Sequence, residues 1–250
     1  MLTVLYSAKG APGVTSAALA LSAVWPRPVV LIEADAAGSD LALRCRGASG
    51  GAVASSPNLL GLAAATRGDR DATLTEWAQP LACGVQVVLG VQAPAQARGV
   101  ADLWRRLAVT AASADVDVIA DLGRLGHDTA TMPLLVAADL RVPVMASAVE
   151  SILHTRGHLL DVTVAGGRTV PLLVGPGRSA AADCRDVDDV MSQAGVIAAA
   201  STHLPLDHPG LAALESGVSP TGRGRASQLV RGARAAAEHL LASAGLEVHR

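Results

Sequence analysis

The chain has 250 residues, half of them hydrophobic, and a formal net charge of −2; that length suits one large α/β domain burying roughly 70 to 75 per cent of its unfolded surface. The charge, with no basic block, leaves no electrostatic footprint for strong nonspecific binding to DNA or anionic lipid, a local patch aside. Cys45, Cys83 and Cys184 are odd in number with no C-x-x-C pair, which argues against a disulfide framework or a zinc site and for a reducing, cytoplasmic setting, and neither a signal peptide nor an uncharged span of 18 apolar residues is expected.

Alanine and valine supply much of the apolar content, and only Tyr6, Trp25, Trp77 and Trp104 are aromatic, so an aliphatic core is expected. The first apolar run, Leu2 to Tyr6, reads as a strand. It feeds Ser-Ala-Lys-Gly-Ala-Pro-Gly-Val-Thr-Ser, residues 7 to 16, and then an alanine- and leucine-rich helix from Thr15 to Trp25 that stops at Pro26. Strand, glycine turn and helix N-terminus together gather unpaired N–H groups and the positive end of the helix dipole, which suits a phosphate. The P-loop pattern G-x-x-x-x-G-K-[ST] places a lysine on the outer phosphates and a hydroxyl on magnesium; here the lysine position holds Val14 and Thr15 keeps the hydroxyl. A turn that binds no phosphate is the competing reading.

The stretch resembles the deviant Walker A motif K-G-G-x-G-K-[ST] of the MinD/ParA group of P-loop ATPases. Lys9, Gly10, Gly13 and Thr15 match it, while Ala11, Pro12, which has no N–H to donate, and Val14 depart from it. The resemblance implies a cradle of Gly10, Ala11, Gly13, Thr15 and Ser16 for ATP or ADP with Mg2+. It also implies that Lys9 reaches across a homodimer interface to the partner's nucleotide and takes part in catalysis there.

Val29 to Ile32 is continuous and β-branched, the composition of a strand buried on both faces of a parallel sheet. Glu33-Ala34-Asp35 closes it, where ligands bind in open parallel sheets. These acids either hold magnesium's waters and orient an attacking water or cap the next helix. The segment Val30 to Leu41 is similar to the family's acidic switch I, and by that resemblance Asp35 is the water-orienting acid and a metal-site residue. Residues 46 to 57 read as a mobile loop, followed by helices from Leu59 to Thr66 and around Leu74 to Ala78, with a polar turn at Gly68-Asp69 between them. Trp77 reads as packing. A strand over Gly84 to Gly90 and a helix from Ala95 to Ala112, with Val100, Leu103, Trp104 and Leu107 at helical spacing, come next.

Val116 to Asp121 is an apolar strand ending in an acid, so Asp121 is the candidate for the role of accepting hydrogen bonds from metal-bound water. Leu122-Gly123-Arg124-Leu125-Gly126 after it resembles the family's switch II without the usual proline. Arg124 is the cation in this segment placed to offset Val14, against the plainer reading of a surface ion pair. A helix from Thr129 to Ala138, a strand over Leu140 to Ala146 and a helix over Glu150 to Leu160 follow. His154 and His158 lie on one face of that helix, but with no third ligand they read as exposed polar residues.

Strands over Val170 to Gly175 and Val196 to Leu204 flank a helix from Asp183 to Gln193. Where the family often carries an asparagine to read adenine, Gly175-Pro176-Gly177-Arg178 stands, which leaves base selectivity open. Pro205 and Asp207, with Gly217-Val218-Ser219-Pro220 further on, resemble the segment that closes the family's base pocket. The last helix, Ala226 to Ser243, is rich in alanine, and a membrane-targeting helix would carry more Lys and Arg and bulky residues such as Trp or Phe.

The expected fold is therefore one α/β domain over residues 1–250, a mostly parallel sheet with helices on both faces, of the MinD/ParA-like P-loop class. By resemblance, the function is that of a positioning or assembly regulator of septum, chromosome, flagellum or pilus type. It would be a pseudo-ATPase because of Val14, with a homodimeric state and a protein partner, and with neither sequence-specific nucleic acid nor membrane as a partner. The alternative is an active weak ATPase acting as a nucleotide-dependent dimer switch. An unrelated α/β enzyme is a third reading, for which no nucleophile and base pair stands out.

Overall fold

The computed structural model describes residues 1–67, 73–99, 101–126, 129–162 and 166–246. The expected turn at Gly68-Asp69 and the helical position Val100 lie outside them. The chain begins β1 (Leu2–Ser7), α1 (Val14–Val24), β2 (Val29–Glu33), α2 (Leu41–Arg44) and α3 (Leu59–Arg67). A 3-10 turn at Leu74–Trp77 leads to β3 (Gln79–Pro80), β4 (Gln86–Val88), α4 (Pro94–Gly99), α5 (Ala101–Ala112), β5 (Asp117–Arg124), α6 (Met132–Ala137), β6 (Leu140–Ala146) and α7 (Val149–Asp161). Then come β7 (Arg168–Thr169), β8 (Leu172–Gly175), α8 (Ala180–Gln193), β9 (Thr202–Pro205), α9 (His208–Glu215), a second 3-10 turn at Gly222–Ala226 and α10 (Gln228–Ser243).

The strands form one sheet in the order β3-β4-β2-β5-β1-β6-β8-β9, with β7 also on β6. Every pair is parallel except β3 with β4. This is the α/β fold expected, with β1 in the interior of the sheet.

Side chains alternate across a strand, and β1 shows why its run is buried throughout. Leu2, Val4 and Tyr6 join a cluster with Leu59, Trp104 and Leu134, whereas Leu5 joins the opposite cluster with Ala17, Leu21, Leu229 and Leu240. Helices cover both faces, so both parities must be hydrophobic. The alanine-rich α1 packs on β5 and β2 and against α10, where small side chains permit close approach.

Several boundaries differ from expectation for tertiary reasons. The strand expected to end at Asp121 runs to Arg124, because β1 continues beside it to Ser7 with a shift of register between Leu5 and Ser7. The strand expected from Val196 begins at Thr202, where pairing with β8 begins. The helix expected over Ala95 to Ala112 is helical from Pro94 to Gly99 (α4) and from Ala101 to Ala112 (α5), on either side of position 100. Residues 46 to 57 are not a free loop: Arg46 bridges to Ala52 and Gly47 to Leu81.

Candidate functional site

The carboxyl ends of β1, β2 and β5 meet at the Gly-bearing loop between β1 and α1. Gly10 and Gly13 have φ of 78° and 93°, in the left-handed region that favours glycine. Gly13 is the N-cap of α1 and offers no side-chain cap, and the amide of Ala17 makes the first helical bond, 2.8 Å to the Gly13 carbonyl. The amides of Val14, Thr15 and Ser16 are left as the orphan donors of the helix N-terminus, and Ala11 and the exposed Gly10 lie in the turn before them.

Val14, at the lysine position, is 6% exposed and belongs to the core cluster with Leu5, Ala17 and Leu41. Its apolar side chain is part of the packing of α1 on the sheet. The Thr15 hydroxyl hydrogen-bonds the Asp121 carboxylate, which also accepts the Gly123 amide at 2.9 Å. Asp121 is 2% exposed. Burial pushes its carboxyl up to about 7; the bonds from Thr15 and Gly123 offset part of this, while the charges of Asp35 and Glu33 add to it.

Asp35 accepts the Ala37 amide at 2.8 Å and rests on Gly123, where its carboxylate fills the space that a Cβ would need. Burial raises its carboxyl too, with the Ala37 amide lowering it and Asp40 raising it. Thr15, Asp121 and Asp35, each singled out from a different part of the sequence, are thus brought together around Gly123. Their oxygens are the hard donors magnesium takes, and a carboxylate whose pKa is raised by burial and, further, by neighbouring acids is where a divalent cation offsets desolvation and charge repulsion. The set therefore fits the ion. Among the described residues no three His, Cys, Asp or Glu side chains form a metal site by themselves, so phosphate and water oxygens would complete the coordination.

The two acids at the end of β2 and just past it divide their roles. Glu33, 2% exposed, accepts from the Ser39 hydroxyl and from the amides of Asp40, Leu41 and Gly90 at 3.1, 2.8 and 3.3 Å. It caps α2 and ties the end of β2 to the end of β4, as the plainer reading has it. Burial raises its carboxyl, and these four donors lower it again in part.

Lys9 is exposed and its Nζ lies 2.9 Å from His154 Nε2 on α7, rather than on Glu33 or Asp35. His158, expected to be exposed beside His154, is instead buried, with its ring centroid 5.6 Å from that of Tyr6. Arg124 is exposed at the end of β5, opposite Ser7.

Pro205 ends β9 and Asp207 follows it, and both organise helices. Pro205 packs on Gly232 of α10, a position with no room for a Cβ. The two carboxylate oxygens of Asp207 accept the amides of Gly210 at 2.9 Å and Leu229 at 3.1 Å, joining the starts of α9 and α10. Burial alone would raise this carboxyl, but the amides of Gly210, Leu229 and Gln228 and the charge of Arg231 outweigh it and hold it below the usual range.

One contact has no precursor in the sequence reading. Arg44 of α2 donates from Nη2 to Ser16 Oγ at 2.9 Å and from Nε to Glu215 Oε1 at 2.8 Å. The partners are 28 and 171 residues away, and no local pattern announces such a meeting.

Solved structures overlay the whole arrangement. A ParA family ATPase from Chlorobium tepidum matches with a TM-score of 0.71 over 96% of this chain and 99% of its own, at 17% identity. This is the MinD/ParA fold. A septum site-determining protein MinD complexed with Mg-ADP from Pyrococcus horikoshii has the same fold at TM-score 0.67 and 18% identity, covering 95% of this chain and 94% of its own. A MinC:MinD cell division complex from Aquifex aeolicus matches at TM-score 0.64 and 14% identity, over 100% of this chain and 98% of that one. No protein-family model matches the chain, and neither does any curated protein sequence. Among the described residues of this MinD/ParA fold no helix is long and apolar enough to cross a membrane.

Proposed function

We propose that the chain binds ATP or ADP with magnesium at the β1–α1 loop and acts in the cytoplasm as a positioning or assembly regulator that turns nucleotide over little or not at all. One observation carries the reading: Thr15 and Asp121 keep their pairing while the lysine position beside them is core. The α1 amides would take the phosphates, Thr15 and Asp121 would hold the ion, and Asp35 would face the outer phosphate. The ion would neutralise charge between the phosphates and the two acids. Losing a charged contact to phosphate weakens binding by about 1.5 to 3 kcal/mol; losing a transition-state donor slows chemistry by about 100- to 1,000-fold. Binding without turnover follows. The Mg-ADP complex of the Pyrococcus neighbour and the MinC complex of the Aquifex neighbour support a nucleotide ligand and a protein partner.

Calorimetry with ADP and ATP, with and without magnesium, tests the binding, and phosphate release tests the chemistry. Magnesium-dependent binding with background hydrolysis is expected, and Val14→Lys should tighten binding. No binding by the unmodified chain would overturn the nucleotide reading, and brisk hydrolysis would overturn the pseudo-ATPase reading. The exposure of Lys9 favours a second reading, a weak ATPase whose nucleotide-bound dimer is a switch.

A further inference from the structure

We propose that Arg44 supplies, to the phosphates bound at the start of α1, the positive charge that Val14 does not. The proposal rests on the nucleotide reading above and adds to it the residue that makes binding possible without a P-loop lysine.

Three cations lie near the loop. Lys9 is turned to His154 on α7, and Arg124 is exposed at the end of β5. Only Arg44 among these touches the first turn of α1, through its 2.9 Å bond to Ser16 Oγ. Ser16 carries one of the orphan amides of that turn, so the guanidinium abuts the donors a phosphate would meet.

The fold holds Arg44 there from two sides. Glu33 caps α2 through the amides of Asp40 and Leu41, and Leu41, fully buried, packs in the same cluster as Val14. On the other side the Glu215 carbonyl accepts the Arg46 amide at 3.1 Å, fixing the end of α9 against the segment that carries Arg44. The short α2 is therefore anchored by the same switch I segment that presents Asp35.

The guanidinium has capacity left. It has five N–H donors in a planar fork. In this structure Nε and Nη2 are engaged by Glu215 and Ser16, and among the described residues no acceptor is bonded to Nη1. The side chains of Arg44 and Glu215 are 30% and 20% exposed, and partly exposed pairs of this kind are weak. Bidentate contact of arginine with phosphate is among the stronger charged hydrogen bonds. A phosphate can therefore draw the guanidinium from Glu215, which acts as a competing anion that keeps Arg44 oriented. The rival interpretation, an ion pair that only ties α2 to α9, makes a different prediction for Glu215.

The test is calorimetric titration of the whole chain with Mg-ADP, comparing the unmodified protein with Arg44→Ala, Arg44→Gln and Glu215→Gln, each checked for folding by near-UV circular dichroism and its melting temperature. Arg44→Ala and Arg44→Gln should bind about 10- to 100-fold more weakly, the worth of one charged contact. The Gln variant keeps a donor for Ser16, so its loss isolates charge and guards against a folding defect in the Ala variant. Glu215→Gln, which removes the competing anion, should bind as tightly as the unmodified chain or a few-fold tighter. Unmodified binding that survives both Arg44 substitutions, or falls as much in Glu215→Gln as in Arg44→Gln, overturns this proposal and leaves the nucleotide reading standing. No binding by the unmodified chain overturns both.

Discussion

Replacing Asp121 with Asn removes a charge that the folded chain disfavours, so it should stabilise the protein, and increasingly so as pH rises. The carboxyl ordinarily titrates at 3.8 and is pushed up to about 7 in the fold. Below pH ~4 both states keep the proton and the substitution has little effect through charge. Between about 4 and 7 the unfolded chain has released its proton while the folded chain retains it, so wild-type stability falls with rising pH, and above ~7 the penalty is complete. At roughly 1.4 kcal/mol per pH unit, the full penalty is about 4 kcal/mol. The stability gap between Asp121→Asn and wild type should therefore widen by roughly 2 to 3 kcal/mol from pH 5 to pH 8. Urea melts at those two pH values measure it. A constant gap, or a mutant less stable than wild type at pH 8, would refute the assignment of Asp121 as a carboxylate held near neutrality. Mg-ADP should reverse the order, raising the melting temperature of the wild type at pH 8 and much less that of the variant, because the ion's charge is what the ionised acid lacks.

Gly123→Ala should destabilise by at least about 1 to 2 kcal/mol, the cost of a left-handed residue with a Cβ, and more if Asp35 is displaced, since the new methyl falls on its carboxylate; thermal melts and a parallel loss of Mg-ADP affinity report the two effects. Lys9→Ala should leave stability within about 0.5 kcal/mol, because the side chain is exposed and its hydrogen bond is to the exposed His154, and should weaken nucleotide-dependent association in sedimentation; a dimer indifferent to it would make Lys9 an ordinary surface residue. Asp207→Ala should cost about 2 kcal/mol by leaving the Gly210 and Leu229 amides without their acceptor, and unchanged denaturant stability would contradict the capping role.

The features that could be read in advance are local ones. A continuous apolar run, a glycine turn and an alanine-rich helix are contiguous, and their periods and breakers are set within a few residues. That is why β1, α1, β2 and β6 were placed within a residue or two, and why Thr15 at a helix start, Asp35 just past a strand and Asp121 in the last half of one could be singled out. Between them these stretches determine an α/β chain with a phosphate-type turn and its acids on one sheet edge. What pairing and packing decide was out of reach. The end of β5 at Arg124 depends on β1 alongside it, and the start of β9 at Thr202 depends on β8. Of two acids two residues apart, only their surroundings make Glu33 a cap and Asp35 a neighbour of Gly123. His154 and His158, equivalent in spacing, separate into surface and core because one helix face meets Tyr6. Arg44, in an unremarked helix, comes to the first turn of α1 through contacts 28 and 171 residues away. By itself the sequence determined the elements and the valine at position 14, since propensity and composition act locally. Only the tertiary structure decided which charges face one another, because burial and electrostatic neighbours are properties of the packed chain.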